Sequence, residues 1–273
     1  MELADIGHPR KMAEGVLKLV PGITFPIPID DIALALDIRA IEDFETEAFE
    51  GALLTNESKS NASILVRSGI IEPRRRFTIG HELGHYLMPL HFPPGDGFRC
   101  TQQDMREQEK PGVSGRPQWE AQANAFASEL LMPTSEYRRR LKAAGGASIE
   151  AILSLSDAFG VSRIACGIAM LRMADSPLAL VAAKEGIIKS VYPSREFPRL
   201  GLKVGMKIPK ASIAAVKTGT EDSVSDCEPI DPCHWVVQEI EGLELYEQAL
   251  FQVEGWTLTL LTAEVPDEDE SDE

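Results

Sequence analysis

The segment His81-Glu82-Leu83-Gly84-His85 can bring both imidazoles to one ion only if it is helical, and no other feature constrains the fold as strongly. At this spacing the histidines lie one turn apart on one side of a helix. Glu82 is rotated by about 100° from His81. It therefore stands beside such an ion without ligating it, free to act as a base for an attacking water. Ile79, Leu83, Tyr86 and Leu87 recur at helical spacing and give the segment an apolar stripe on another face. The pattern predicts a helix from Thr78 to about Met88, where Pro89 ends it.

Two histidines leave a zinc site incomplete, since a catalytic ion takes three protein ligands and keeps a fourth position open. His91 stands ten residues after His81, but Met88 and Pro89 occupy the place where a chain returning to the metal would need a glycine. Glu120 is the alternative. Pro117 opens a second helix with Trp119, Ala123, Phe126, Ala127, Leu130 and Leu131 as its buried stripe, closed by Pro133. Glu120 lies at the edge of that stripe, where a carboxylate is costly unless paired or bound to metal. Asn124, one turn on, is placed to accept the spare N–H of a ligand imidazole. The wheel argument selects Glu120 as third ligand and reads His91 as a solvated loop residue.

Around this pair the pattern is α+β. Residues 9–19 read as a helix, 26–38 as a proline-led second helix starting near Asp30, and 39–44, 49–55 and 62–67 as short strands with a polar turn at 55–61. Residues 91–116 read as a long loop. A basic helix with Arg138–Arg140 and Lys142 stops at Gly145-Gly146, and helices at 149–159 and from Arg163, separated by Gly160, have the shape of a helix-turn-helix. Beyond Pro177, residues 178–183, 187–192, 202–208, 212–216, 234–237, 245–253 and 256–265 read as strands. This divides the chain into a metal-binding domain at 1–146, a helix-turn-helix-like segment at 147–175, a β-rich domain at 176–265 and an acidic tail at 266–273.

Charge narrows the partners. The formal net charge is −16, and the helix-turn-helix segment balances Arg163 and Arg172 against Glu150 and Asp157. Direct DNA binding is therefore disfavoured, because phosphate contacts need Lys and Arg. No segment suits a membrane span or an export signal. Cys100, Cys166, Cys227 and Cys233 are sparse and irregularly spaced, as in free thiols of a cytoplasmic protein. A Cys227/Cys233/His234 metal cluster has no standard zinc spacing.

The block Arg75-Arg76-Phe77-Thr78-Ile79-Gly80-His81-Glu82-Leu83-Gly84-His85 resembles the R-F-T-x-x-H-E-x-G-H signature of the ImmA/IrrE metallo-endopeptidases. Residues 120–133, EAQANAFASELLMP, are similar to that family's second block, and the two stand in the family's order across roughly residues 10–145. The resemblance implies a zincin-like peptidase with zinc on His81, His85 and Glu120 and with Glu82 as catalytic base. The longer layout is similar to the family's radiation-resistance regulators, which implies a GAF-like sensor domain at the C-terminus. It also implies a helix-turn-helix repressor as protein substrate, cleaved in a stress or mobile-element response. The alternative is a non-catalytic regulator that binds its partner and keeps zinc as a structural ion.

Overall fold

In a computed structural model, residues 7–106, 114–217 and 219–264 are described; the acidic tail at 266–273 lies outside them. The chain divides into two compact units, Met1–Tyr137 with Ser156–Ser162, and Arg138–Leu155 with Arg163–Glu273.

The first unit sets helices α1 (Pro9–Leu19), α2 (Ile29–Ala35), α3 (Glu72–Leu87) and α4 (Arg116–Leu131) with a sheet of β1 (Ile38–Phe44), β2 (Gly51–Thr55), β3 (Ala62–Arg67) and β4 (Gly97–Cys100). Strand order is β1-β3-β2-β4; β1 runs parallel to β3 and the other pairs are antiparallel. Met12, Ile27, Leu53, Ile64, Ile79, Leu83, Phe98 and Phe126 are buried in its core. Each apolar side chain so removed from water contributes about 1.5–3 kcal/mol. The second helix of the sequence reading is shorter than expected, because Ile38 opens β1 instead of closing α2.

Helix α3 begins six residues before Thr78. Glu72 and Pro73 suit a first helical turn, the acid for the helix dipole and the proline for its preset φ. The run Arg74-Arg75-Arg76 hid this start from apolar periodicity, yet each arginine is engaged. Arg74 pairs with Glu50, Arg75 with Asp30, and Arg76 donates to the carbonyls of Ile27 and Gly160. The expected loop at 91–116 contains β4 and a 3-10 turn at Asp104–Arg106, while 107–113 lie outside the described residues. Four residues with a glycine at one end carry too little periodicity for β4 to be read in advance.

Helices α5 (Thr134–Ala143), α6 (Ile149–Phe159) and α7 (Arg163–Leu171) follow. Gly145 and Gly146, both at positive φ, end α5, and Ser148 Oγ caps α6 by accepting from Ala151 N–H. Helices α6 and α7 meet at 115°, the angle of a helix-turn-helix. By length and composition this bent pair could pass for a broken membrane span. Among the described residues no single helix is long and apolar enough to cross a membrane.

The second unit is built on an antiparallel sheet, β6-β5-β9-β8-β7, from β5 (Leu178–Lys184), β6 (Ile187–Pro193), β7 (Glu228–Pro229), β8 (Glu244–Phe251) and β9 (Trp256–Glu264). One face, with Ile188, Leu245 and Leu261, packs on Trp235. Three expected strands are absent. Residues 202–208 contribute a lone bridge at Lys207, 212–216 fold as helix α8 (Ile213–Val216), and 234–237 follow a 3-10 turn at Pro232–His234. Ile208, Trp235 and Val236 pack against the sheet without pairing into it, while Val204, Met206, Val216 and Val237 stay exposed. The buried Glu247 shows the same packing, accepting from Ser212 Oγ (2.5 Å) and from Trp235 Nε1 (3.2 Å).

Candidate metal centre

The centre lies where α3 crosses α4. A Cβ on Gly84 would come within 3.1 Å of the Ala123 backbone, and one on Gly80 within 3.2 Å of the Ala127 side chain. Gly80 and Gly84 on one helix thus meet Ala123 and Ala127 on the other with little side-chain bulk between backbones. That close approach brings His81 and His85, each next to a glycine in the chain, against Glu120 and Asn124.

His81 Nε2, His85 Nε2 and Glu120 Oε2 are each 3.1 Å from the other two. A tetrahedral zinc with bonds of about 2.0–2.1 Å holds its light ligands about 3.3 Å apart. The three atoms therefore have the spacing of three corners of such a site, and all three side chains are buried. A proton or a metal cation is what such converging lone pairs need.

The orientation of each imidazole has a source. Asn124 Nδ2 donates to the Asp104 carbonyl, which fixes the amide so that Oδ1 accepts from His81 Nδ1 at 2.8 Å. His85 Nδ1 faces His91 Nδ1 at 3.0 Å, and His91 Nε2 faces Gln122 Oε1 at 2.9 Å. With Gln122 Oε1 accepting, His91 carries its proton on Nε2 and accepts from His85. Both α3 histidines then keep a lone pair on Nε2, facing the centre. His91, read as solvated, is fully buried in this chain of contacts, behind His85 and not at the converging point. Its spacing after His81 was the only signal, and it suggested a ligand.

The second oxygen of Glu120 accepts from Arg116 Nε at 3.1 Å. Lys59, in the β2–β3 turn, donates to the carbonyls of His85 (2.7 Å) and Met88 (2.8 Å) and so caps the end of α3 that carries the histidines. Nothing in the polar turn at 55–61 foretold that contact. Phe98 of β4 stacks on His85 with centroids 4.3 Å apart.

Glu82 is the anomaly that points to chemistry. Its carboxylate is wholly buried, and neither oxygen has a conventional hydrogen-bond donor. The weakly donating Cys100 thiol is the group that leans on it. Burial lifts its pKa to about 7. A carboxylate is seldom left so bare unless a ligand, an ion or a water belongs beside it. Gly51 of β2 makes the space, for a Cβ there would stand 2.6 Å from Glu82 Oε1 and 2.5 Å from Thr78 Cγ2.

The neighbours titrate in a pattern set by the same contacts. Burial drives His85 down to about 3 and His91 to about 4. Burial also opposes a charge on His81, but Glu120 and Glu82 outweigh it and raise its pKa. Glu120 is held well below the usual carboxylate range; burial acts against this, and the closeness of its Oε2 to the His81 and His85 imidazoles prevails.

Cys100 is the residue that sequence reasoning missed. With His81, His85 and Glu120 it forms a buried group whose donor atoms all lie within 4.8 Å of one another, and its Sγ is 3.6 Å from His85 Nε2. The described residues contain no other group of this kind, so Cys227, Cys233 and His234 form none. All four cysteines are free thiols.

A family model described as the IrrE N-terminal-like domain, of a peptidase family, matches residues 34–170, half of the chain and all of the centre. A Mycobacterium tuberculosis transcriptional regulator of known structure has a similar fold. The TM-score is 0.58 at 14% identity, and the alignment covers 93% of this chain and 75% of that one. No curated protein matches the sequence.

Proposed function

The chain belongs to the IrrE N-terminal-like family of peptidases, and from that premise we propose that it is a cytoplasmic zinc endopeptidase whose substrate is a helix-turn-helix transcriptional repressor. The observation that carries this reading is the bare, buried Glu82 carboxylate beside the three-cornered cluster of His81, His85 and Glu120. A structural zinc site has no use for such a group.

In this proposal His81, His85 and Glu120 hold the ion. Bound zinc would supply an acidified water and a polarised scissile carbonyl. Glu82 takes the proton of the attacking water at a carboxylate oxygen and returns it to the leaving amine. A pKa of about 7 suits both directions near neutral pH. Asn124 and His91 keep the two imidazoles from turning. Gly51 and Thr78 shape the wall behind Glu82, and burial keeps bulk water from the proton in transit.

The repressor, the stress or mobile-element response and a sensing role for residues 176–265 rest on family resemblance. DNA is the less favoured partner. Arg163, one of two bases in the helix-turn-helix segment, is spent on Asp222 at 2.7 Å and Gln252 at 3.0 Å. The test is to incubate zinc-loaded protein with the repressor encoded nearest to it, beside the Glu82→Gln variant, with metal content measured in both. Cleavage by wild type and none by a variant of equal zinc content is the expected result. An intact repressor with zinc bound, under inducing conditions as well, would instead favour a regulator that works by binding.

A further inference from the structure

We propose that Cys100 is a fourth protein ligand of this metal centre, closing it in a resting state that must open before a substrate can be cleaved. The inference rests on the metal-centre reading above and says how that centre is held silent.

Geometry argues for it first. A tetrahedral zinc with a sulfur bond of about 2.3 Å and a nitrogen bond of about 2.05 Å separates the two donors by about 3.6 Å. Cys100 Sγ stands 3.6 Å from His85 Nε2. The three light donors are at 3.1 Å from one another, and the sulfur lies within 4.8 Å of all of them. Two imidazoles, a carboxylate and a thiolate, all buried, would fill the four positions of a tetrahedral zinc, whereas a catalytic site keeps one corner for water.

Position is the second argument. The thiol meets the edge of His85 and sits on the residue paired with Gly51, whose Cβ position borders Glu82, and so stands beside the space an attacking water would share with base and ion. Ligation also balances. The S–H bond is exchanged for a sulfur–metal bond, and the proton is released to solvent, as when any thiol ligates a metal. Release of the sulfur reverses the step, with a proton from solvent returning to it. No oxidant or reductant is required.

The fold allows such release without dismantling the centre. His81, His85 and Glu120 stand on the packed pair α3 and α4, whereas Cys100 is the last residue of β4. That strand lies at the sheet edge, paired only with β2, where Cys100 faces Gly51. A shift of β4 withdraws the sulfur while the three other ligands keep their places.

The test is zinc-edge X-ray absorption on the full chain, with cobalt(II) substitution as a second readout. We expect wild type to bind about one metal per chain with one sulfur at about 2.3 Å from zinc and a thiolate-to-cobalt charge-transfer band. Cys100→Ser and Cys100→Ala should keep the metal but lose the sulfur scatterer and the band. They should also surrender zinc to a chelator on the order of tenfold more readily, at least as much as when an outer partner of a ligand is lost. Metal bound by wild type without sulfur would overturn this proposal and leave the metal centre standing. A sulfur signal that survives in Cys100→Ala would overturn it too, by assigning the sulfur to another cysteine. Failure of wild type to bind either metal would sink the centre and the proposal together.

Discussion

Gly51 should be the position at which one added methyl group does most harm to the centre without touching a metal ligand. In a strand interior, replacing glycine by alanine ordinarily stabilises by about 0.5–1 kcal/mol, because less backbone freedom is lost on folding. Here the new Cβ would stand 2.5 Å from Thr78 Cγ2, 2.6 Å from Glu82 Oε1 and 3.1 Å from Met105 Cε. Carbon atoms rest at about 3.5–4.0 Å, so the contact with Thr78 is short by about 1 Å and must be relieved by movement. Overpacking of that kind costs about 1–3 kcal/mol, which outweighs the backbone gain. Taking a net loss of about 1–2 kcal/mol and about 2–4 °C per kcal/mol for a domain of this size, Gly51→Ala should lower the melting temperature by roughly 2–8 °C. The side chain most easily displaced is Glu82, which no conventional hydrogen bond holds. Displacing a reacting group by about 1 Å costs on the order of 100-fold in rate. Repressor cleavage should therefore fall steeply while metal content stays at the wild-type value. Thermal melts, elemental analysis and the cleavage assay would be run side by side. An alanine variant that melts at or above the wild-type temperature would refute the packing argument. Normal stability loss with undiminished cleavage would refute the claim that Gly51 makes room for Glu82.

Asn124→Ala removes the acceptor that orients His81, so zinc affinity in competition with a chelator should weaken on the order of 10–100-fold. Lys59→Ala leaves the carbonyls of His85 and Met88 without their charged donor and should destabilise by about 1–3 kcal/mol, read as a lower melting temperature. The chelated protein should be most stable near pH 6.5. On the acid side the unfolded chain binds protons that folded His85 (about 3) and His91 (about 4) refuse, so stability falls as pH drops through the ordinary histidine pKa of about 6.5. Glu82 opposes this limb, because the folded carboxyl keeps up to about pH 7 a proton that the unfolded chain gives up above 4.5, a contribution gone by about pH 7. On the alkaline side the raised pKa of His81 makes stability fall as pH rises above 6.5. Melting temperatures across pH 5–9 would check both limbs, and a flat profile would contradict the burial assigned to these groups.

What could be read from the sequence divides along a physical line. Helix α4, with its stripe from Trp119 to Leu131, and helix α6, capped by Ser148 and stopped at Gly160, were legible because their signals are local. So was the nearness of His81 to His85. The meeting of α3 with Glu120 and Asn124 was legible only through a wheel argument and a resemblance. Its cause, glycines 80 and 84 facing alanines 123 and 127, is a relation between two helices. Segments such as 202–208 and 234–237 misled because a few apolar residues, of which only Ile208, Trp235 and Val236 are buried, do not specify pairing. Their backbones are satisfied by turns and single bridges, with Trp235 buried beneath.

Cys100 and Gly51 mark where local signals end. Each alone is uninformative, one a solitary cysteine in a glycine- and proline-rich stretch, the other a glycine in a strand. They matter because antiparallel register places one opposite the other beside Glu82. Register follows from which faces are buried and is never written in a single strand. In the reading proposed above the ligands stand on helices, and control over the open corner lies on a short edge strand. Substitutions along β4, such as those at Phe98 and Cys100, should accordingly alter how the centre is closed. Those on α3 and α4 should decide whether it exists, and metal stoichiometry measured beside sulfur ligation across both sets would separate the two effects.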